Sequence, residues 1–324
     1  MNGKTILSAI AMMALAAGIA FTQAVKVDPG IPEYKQTQGI SGSIKSVGSD
    51  TMNNEMTLWA EGFRRLYPSV KVEIEGKGSS TAPPALTAGT SQFGPMSRAM
   101  KDEEVDKFEK KYGYKPTAIR TSIDMLAVYV NKDNPIACLS MQQLDAIFSK
   151  TRRSGAPKDI RTWGDLGLTG EWASQPISLY GRNSASGTYG YFKEHALARG
   201  DYKDTVKEQP GTSSVVQAVA TDKFGVGYGG IGYRTADVRA VPISLKSGGT
   251  CVDTTPENGY SGAYPLARFL YIYVNKAPTG SLDPLRAEYI RYILSRAGQE
   301  AVVKDGYLPL TAKLVQEERS RLGL

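Results

Sequence analysis

Across 324 residues the chain has one histidine and two cysteines. Two thiols and one imidazole are too few for a structural zinc site, and any histidine-driven nucleophile would depend on His195 alone. No G-x-S-x-G stretch occurs, which removes the nucleophile elbow of the α/β-hydrolases. GKGSST at 76–81 lacks the upstream glycine spacing of a Walker A loop. GVGYGG at 225–230 and GYGGIG at 227–232 satisfy G-x-G-x-x-G, but neither opens a helix after a strand as dinucleotide binding requires. They fit closely packed strand glycines. Beyond the first two dozen residues no apolar run is long enough to span a bilayer.

That opening, MNGKTILSAIAMMALAAGIAFTQA, carries Lys4, an apolar run from Ile6 to about Ala20, and the small residues Thr22 and Ala24. It has the form of a secretory signal peptide cleaved near Ala24. A membrane anchor needs roughly 20 apolar residues, whereas this run is shorter and interrupted by Gly18. Export places the remainder in water as one large domain or two lobes. The formal net charge is +7, with the cations spread along the chain, which suits an anionic partner but not nucleic acid. In an oxidising compartment Cys138 and Cys251 are expected to form a disulfide; the other reading is two small buried apolar residues.

Residues 25–39 are polar, with scattered proline and glycine, and form a leader before the fold. Ile44 to Val47 looks like a short strand. Met56, Trp59, Ala60, Phe63 and Leu66 recur at helical spacing from Asn53 until Pro68 stops them. VKVEIEG alternates like a half-buried strand, and a loop and a second helix follow it. The alternation of strand, loop and helix predicts an α/β fold built on crossover units. Further on, Asp102 to Tyr112 has the pattern of a solvated helix, SIDMLAVYVNK and YPLARFLYIYVNK of apolar strands, and VVQAVATDK of a helix. From Asp283 to Leu324 the pattern is helical apart from a turn near Gly306 and Pro309. VYVNK at 128–132 and IYVNK at 272–276 either mark two crossings between lobes or coincide by chance.

Three loops share one chemistry. GSDTMN at 48–53 supplies Ser49, Asp50 and Thr51; GKGSST supplies Ser79 and Ser80; GRNSASGT at 181–188 supplies Arg182, Ser184, Ser186, Gly187 and Thr188. Any one of them alone is most simply a helix cap. All three follow a predicted strand and precede a helix, which puts them at the carboxyl ends of strands, where backbone N–H groups and the helix dipole attract an anion. Arg182 adds a planar fork for a charge-assisted contact. Ser97 and Arg98 sit near the start of another helix, where Arg98 is a ligand, a gate or merely exposed. Asp50 has two readings. It either caps the helix from Asn53 or accepts a proton from the ligand, which phosphate near neutral pH carries and sulfate does not.

These residues resemble the phosphate-binding proteins of phosphate ABC importers. The resemblance runs from about Ser43 to Leu310 and rests on GSDTM, GKGSS with FGPMSR, R-x-x-x-S-G-T at 182–188, FGVGYGGIGY and SRAGQEAVVKDGYLPL. It implies a type II periplasmic binding protein fold, with two lobes joined by a two-segment hinge and the ligand between them. Lobe 1 would hold residues 40–122 and 263–324, and lobe 2 residues 123–262, so that both cysteines share lobe 2. It further implies phosphate held by Ser49, Asp50, Thr51, Ser79, Arg182, Ser186, Gly187 and Thr188, with Ser80, Ser97, Arg98 and Ser184 as weaker candidates. Some relatives carry an aspartate where Arg98 stands, and an acid that orients the arginine where Ser184 stands. The expected protein is a monomer in the periplasm, without cofactor or metal, that delivers phosphate to a membrane permease. The competing readings are a receptor for sulfate or molybdate, or an exported phosphatase or serine hydrolase.

Overall fold

A computed structural model describes residues 25–324; the signal-peptide reading of residues 1–24 lies outside the described residues. The chain opens with β1 (Gly42–Val47), α1 (Asn53–Leu66) and β2 (Val70–Glu75), followed by α2 (Ala82–Ala88), β3 (Gly94–Met96) and α3 (Asp102–Tyr112). β1 and β2 pair in parallel, with α1 as the crossover. On α1, Met56, Trp59 and Phe63 are fully buried, so the apolar spacing read from sequence is the core-facing stripe.

Next come β4 (Thr117–Asn131), β5 (Leu139–Ser140), α4 (Met141–Phe148), β6 (Ser178–Arg182), α5 (Gly187–His195), β7 (Lys207–Gln209), α6 (Thr212–Thr221) and β8 (Gly225–Gly230). The remainder is β9 (Val238–Ala240), β10 (Ile243–Ser244), α7 (Pro256–Tyr260), β11 (Ala267–Val274), α8 (Pro284–Ile293), α9 (Arg296–Lys304) and α10 (Ala312–Leu322). Seven strands form the central sheet in the order β3-β11-β4-β8-β6-β7, with β9 beside β4. This is the mixed α/β, two-lobed architecture expected.

β4 is the shared element. Its first part, from Thr117 to Met125, pairs antiparallel with β11, while Leu126 to Val130 pairs with β8. The two VNK-ending stretches therefore do not face each other: Val274 lies opposite Thr117, and Val130 lies opposite Val226.

Two expectations change. The last helical stretch breaks at Ser295, whose Oγ donates to the Tyr292 carbonyl and accepts from Gly298 N, starting α9 anew. A Cβ on Gly298 would lie 2.2 Å from the Tyr292 carbonyl oxygen, so the sharp turn needs glycine there. Secondly, the leader is packed against the fold. Ile31 is buried, Tyr34 donates to Glu288 Oε1 at 2.7 Å, and Asp28 Oδ2 accepts from Ala312 N at 2.8 Å. The expected disulfide between Cys138 and Cys251 is present, which excludes the other reading, of two free apolar thiols. Among the described residues no helix is long and apolar enough to cross a membrane.

Candidate anion-binding site

The three loops leave β1, β2 and β6 at their carboxyl ends and meet. Gly78 N donates to the Gly48 carbonyl at 2.8 Å, and Ser80 N donates to the Ala185 carbonyl at 3.0 Å, so each loop is tied to another. Gly78 has φ +120°, and a Cβ there would stand 2.5 Å from the Ala185 carbonyl oxygen; only glycine meets both conditions. At Gly187 a Cβ would fall 2.2 Å from Ser79 Oγ and 2.6 Å from Ser97 Oγ. Glycine is thus required for loop-to-loop approach at both positions.

A buried set of hydroxyls results. Thr51 Oγ1 and Thr188 Oγ1 are 2.8 Å apart, Ser79 Oγ and Ser97 Oγ 3.3 Å, and Ser97 Oγ and Thr188 Oγ1 3.5 Å. Ser79 Oγ also accepts from Ser97 N at 3.0 Å. Ser186 is the N-cap of α5, its Oγ accepting from Thr188 N and Tyr189 N. Ser49 Oγ is buried with no hydrogen-bond partner among the described residues.

Arg182 is 1% exposed. Its Nη1 donates to Thr212 Oγ1 at 2.7 Å and its Nη2 to the Pro210 carbonyl at 3.2 Å, while its Nε is buried and unpaired among the described residues. Desolvation pulls the guanidinium below its ordinary value, opposed by Asp50, whose Oδ2 lies 3.1 Å from Nη2. Buried polar groups without partners are uncommon, and two of them here belong to residues already picked out as anion contacts.

Asp50 does not cap α1, whose N-cap Met52 has no side-chain bond. Its Oδ2 accepts from Thr212 N at 2.9 Å and Thr212 Oγ1 at 3.2 Å, so it caps α6 and also faces Arg182. The capping reading fails for the neighbouring helix and holds for one far along the chain.

Arg98 and Ser184 stand apart from this set. Both terminal nitrogens of Arg98 bind Glu104 at 2.7 Å, and they also reach the Ala99 carbonyl and Ser80 Oγ, so Arg98 is not exposed and makes no hydrogen bond to Ser79, Ser97 or Thr188 among the described residues. Ser184 is exposed. Both line an adjoining open cleft of about 910 Å³, together with Lys101, Lys193, His195 and Arg268. His195, at the end of α5, packs on Tyr191 with ring centroids 4.1 Å apart, and burial lowers its pKa.

Several groups escape a reading of the sequence. Arg268 on β11 and Asp124 on β4 form a buried ion pair at 2.8 Å, and Arg268 also donates to Thr188 Oγ1 at 2.9 Å. Tyr233 donates to the Asp50 carbonyl and Tyr307 to the Thr51 carbonyl, each at 2.9 Å, holding the first loop from behind. One signal was present: a lone acid in SIDMLAVYV and a lone base in ARFLYIYV, since charges inside apolar strands are nearly always paired. Thr212, Tyr233 and Tyr307 carry no comparable mark.

A family model described as a PBP superfamily domain matches residues 34–297. The phosphate-binding protein PstS of Pseudomonas aeruginosa is 55% identical over 324 residues, covering 100% of both chains. PstS of Staphylococcus saprophyticus is 28% identical over 285 residues, 87% of this chain and 84% of that protein. Among solved structures, an ABC-type phosphate transport receptor from Vibrio cholerae superposes with TM-score 0.64 at 23% identity, over 82% of this chain and 100% of the other, which supports the fold. With a family match over most of its length and full-length identity above half, the chain belongs to the PBP superfamily and, within it, to the PstS phosphate-binding proteins.

Proposed function

We propose that this protein binds inorganic phosphate outside the cytoplasm and hands it to the permease of an ABC importer. The observation that carries the reading is the pair of unpartnered buried groups, Ser49 Oγ and Arg182 Nε, within a set of converging hydroxyls and helix N-termini. Phosphate supplies acceptors for both. The contacts are Ser49, Thr51, Ser79, Arg182, Ser186, Gly187 and Thr188, with Ser97 beside them. Asp50 accepts the ligand proton: the side-chain bonds it accepts fall on Oδ2, which leaves Oδ1 for that role. A carboxylate beside the anion selects a protonated ligand and rejects sulfate.

The lobes comprise residues 40–122 with 263–324, and residues 123–262, and close on the ligand by hinge motion. The protein acts as an exported monomer that binds without turnover, uses no metal or cofactor and has no nucleic-acid partner. The PstS relatives, named as phosphate-binding proteins, support phosphate as the ligand. Calorimetric titration with phosphate, sulfate and molybdate tests the reading. Phosphate is expected to bind at least about a thousandfold more tightly than sulfate, a hydrogen-bond discrimination that reaches about 10⁴ in well-built sites. Arg182→Ala should abolish measurable binding with the circular dichroism spectrum retained. Equal competition by sulfate would sink the role of Asp50, and turnover of a phosphomonoester lost with Ser186→Ala would replace the receptor reading by a hydrolase.

A further inference from the structure

We propose that Arg268 is a positioning residue that fixes the direction of the Thr188 hydroxyl proton, and so makes the site favour doubly charged over singly charged phosphate. The inference rests on the phosphate reading above. Arg268 Nη2 lies 2.9 Å from Thr188 Oγ1, and Nη1 lies 2.7 Å from the Ser97 carbonyl. Nε and Nη2 both donate to Asp124 Oδ2, at 2.9 and 2.8 Å. Asp124 Oδ1 in turn accepts from Ile231 N at 2.9 Å, and the guanidinium lies 5.1 Å from the centroid of the Tyr191 ring. The arginine is held on every side.

A guanidinium has donors and no acceptor. Thr188 Oγ1 therefore accepts from Arg268, and its single proton points elsewhere. Its second lone pair takes the Thr51 hydroxyl proton, 2.8 Å away, so both acceptor positions of Thr188 are filled and its own proton is left for the ligand. A ligand oxygen arriving there meets a donor. Across the site Asp50 offers one acceptor. Phosphate with one proton fits this arrangement: the proton goes to Asp50 and a bare oxygen goes to Thr188. A second proton directed at Thr188 would set donor against donor in a buried place, a mismatch of roughly tenfold or more in affinity.

Other titratable groups surround the pair. Tyr191 and His195 on α5, Arg182 on β6 and Tyr264 before β11 feel its charges, and Glu55 on α1 and Asp305 after α9 lie near Asp124. Asp305 titrates near neutrality, so the comparison is made in an Asp305→Asn background.

The test is calorimetric titration with phosphate from about pH 6 to about pH 8.5, where each proton that opposes binding costs up to about tenfold per pH unit. With Arg268 present, affinity is expected to fall towards that limit as pH drops. Arg268→Gln is expected to bind at least tenfold more weakly at the alkaline end and to lose affinity less steeply on acidification. The double variant Asp124→Asn/Arg268→Gln leaves no unpaired buried charge, and it carries the test where the single variant does not fold. A variant whose pH slope equals or exceeds that of the parent overturns the inference, whatever its affinity. A parent that takes up no phosphate at any pH overturns the phosphate reading as well, so the two failures are told apart.

Discussion

Two carboxylates near the site differ in kind. Asp50 is hydrogen-bonded and faces an arginine, whereas Asp305 Oδ2 has no partner among the described residues. Burial, with Asp124 as a negative neighbour, pushes Asp305 from 3.8 up to about 7. An acid raised in the folded state stabilises while protonated. The folded state therefore binds the extra proton between the unfolded value and about 7, and stability falls as pH rises through that window, then levels off. Asp305→Asn should remove part of this decline, on the order of 1 kcal/mol per pH unit, read from urea midpoints at about pH 5 and about pH 8. A second expectation concerns Gly187. Gly187→Ala should force Ser79 and Ser97 off their positions, reducing phosphate affinity by about tenfold or more while the far-ultraviolet spectrum stays the same. At this scale the sequence disclosed residue types more readily than their partners. Asp50 was visible beside a helix, but its contacts with Thr212 and Arg182 arise from pairing across more than a hundred residues.

The elements were legible where a single period governed. α1 shows its buried stripe in its spacing, and the alternation in VKVEIEG locates β2. β4 begins earlier than expected because its opening residues, TAIRT, alternate less clearly yet still pair with β11. The break between α8 and α9 was hidden because Ser295 and Gly298 are unremarkable inside a helical pattern until the chain turns on them. Ser295→Ala should cost about 1 kcal/mol, by losing the cap of α9 and a bond to the Tyr292 carbonyl; a melting curve checks it. Residues 25–39 misled for another reason: polar composition says nothing about docking. Tyr34 bonds both Tyr67 and Glu288, so Tyr34→Phe should lower the melting temperature by a few degrees, in line with about 1 kcal/mol for a part-buried hydroxyl.

At the scale of the molecule the fold is tied together by one sheet and one set of loops. β4 belongs to both parts of the sheet, and the Thr51–Thr188, Asp50–Arg182 and Tyr233–Asp50 contacts join the loops across the site. The disulfide spans 113 residues of sequence. Breaking it with Cys138→Ser/Cys251→Ser is expected to cost about 2–5 kcal/mol by releasing constraint on the unfolded chain, with phosphate affinity unchanged. Denaturant titration and calorimetry on the same sample separate the two effects. The docking of Asp28 on Ala312 and of Tyr34 on Glu288 has an outcome in time. A polypeptide emerging amino-end first must keep its beginning waiting until its last helices arrive. Assembly is therefore completed late, and a chain interrupted before α8 would leave its opening segment without a resting place.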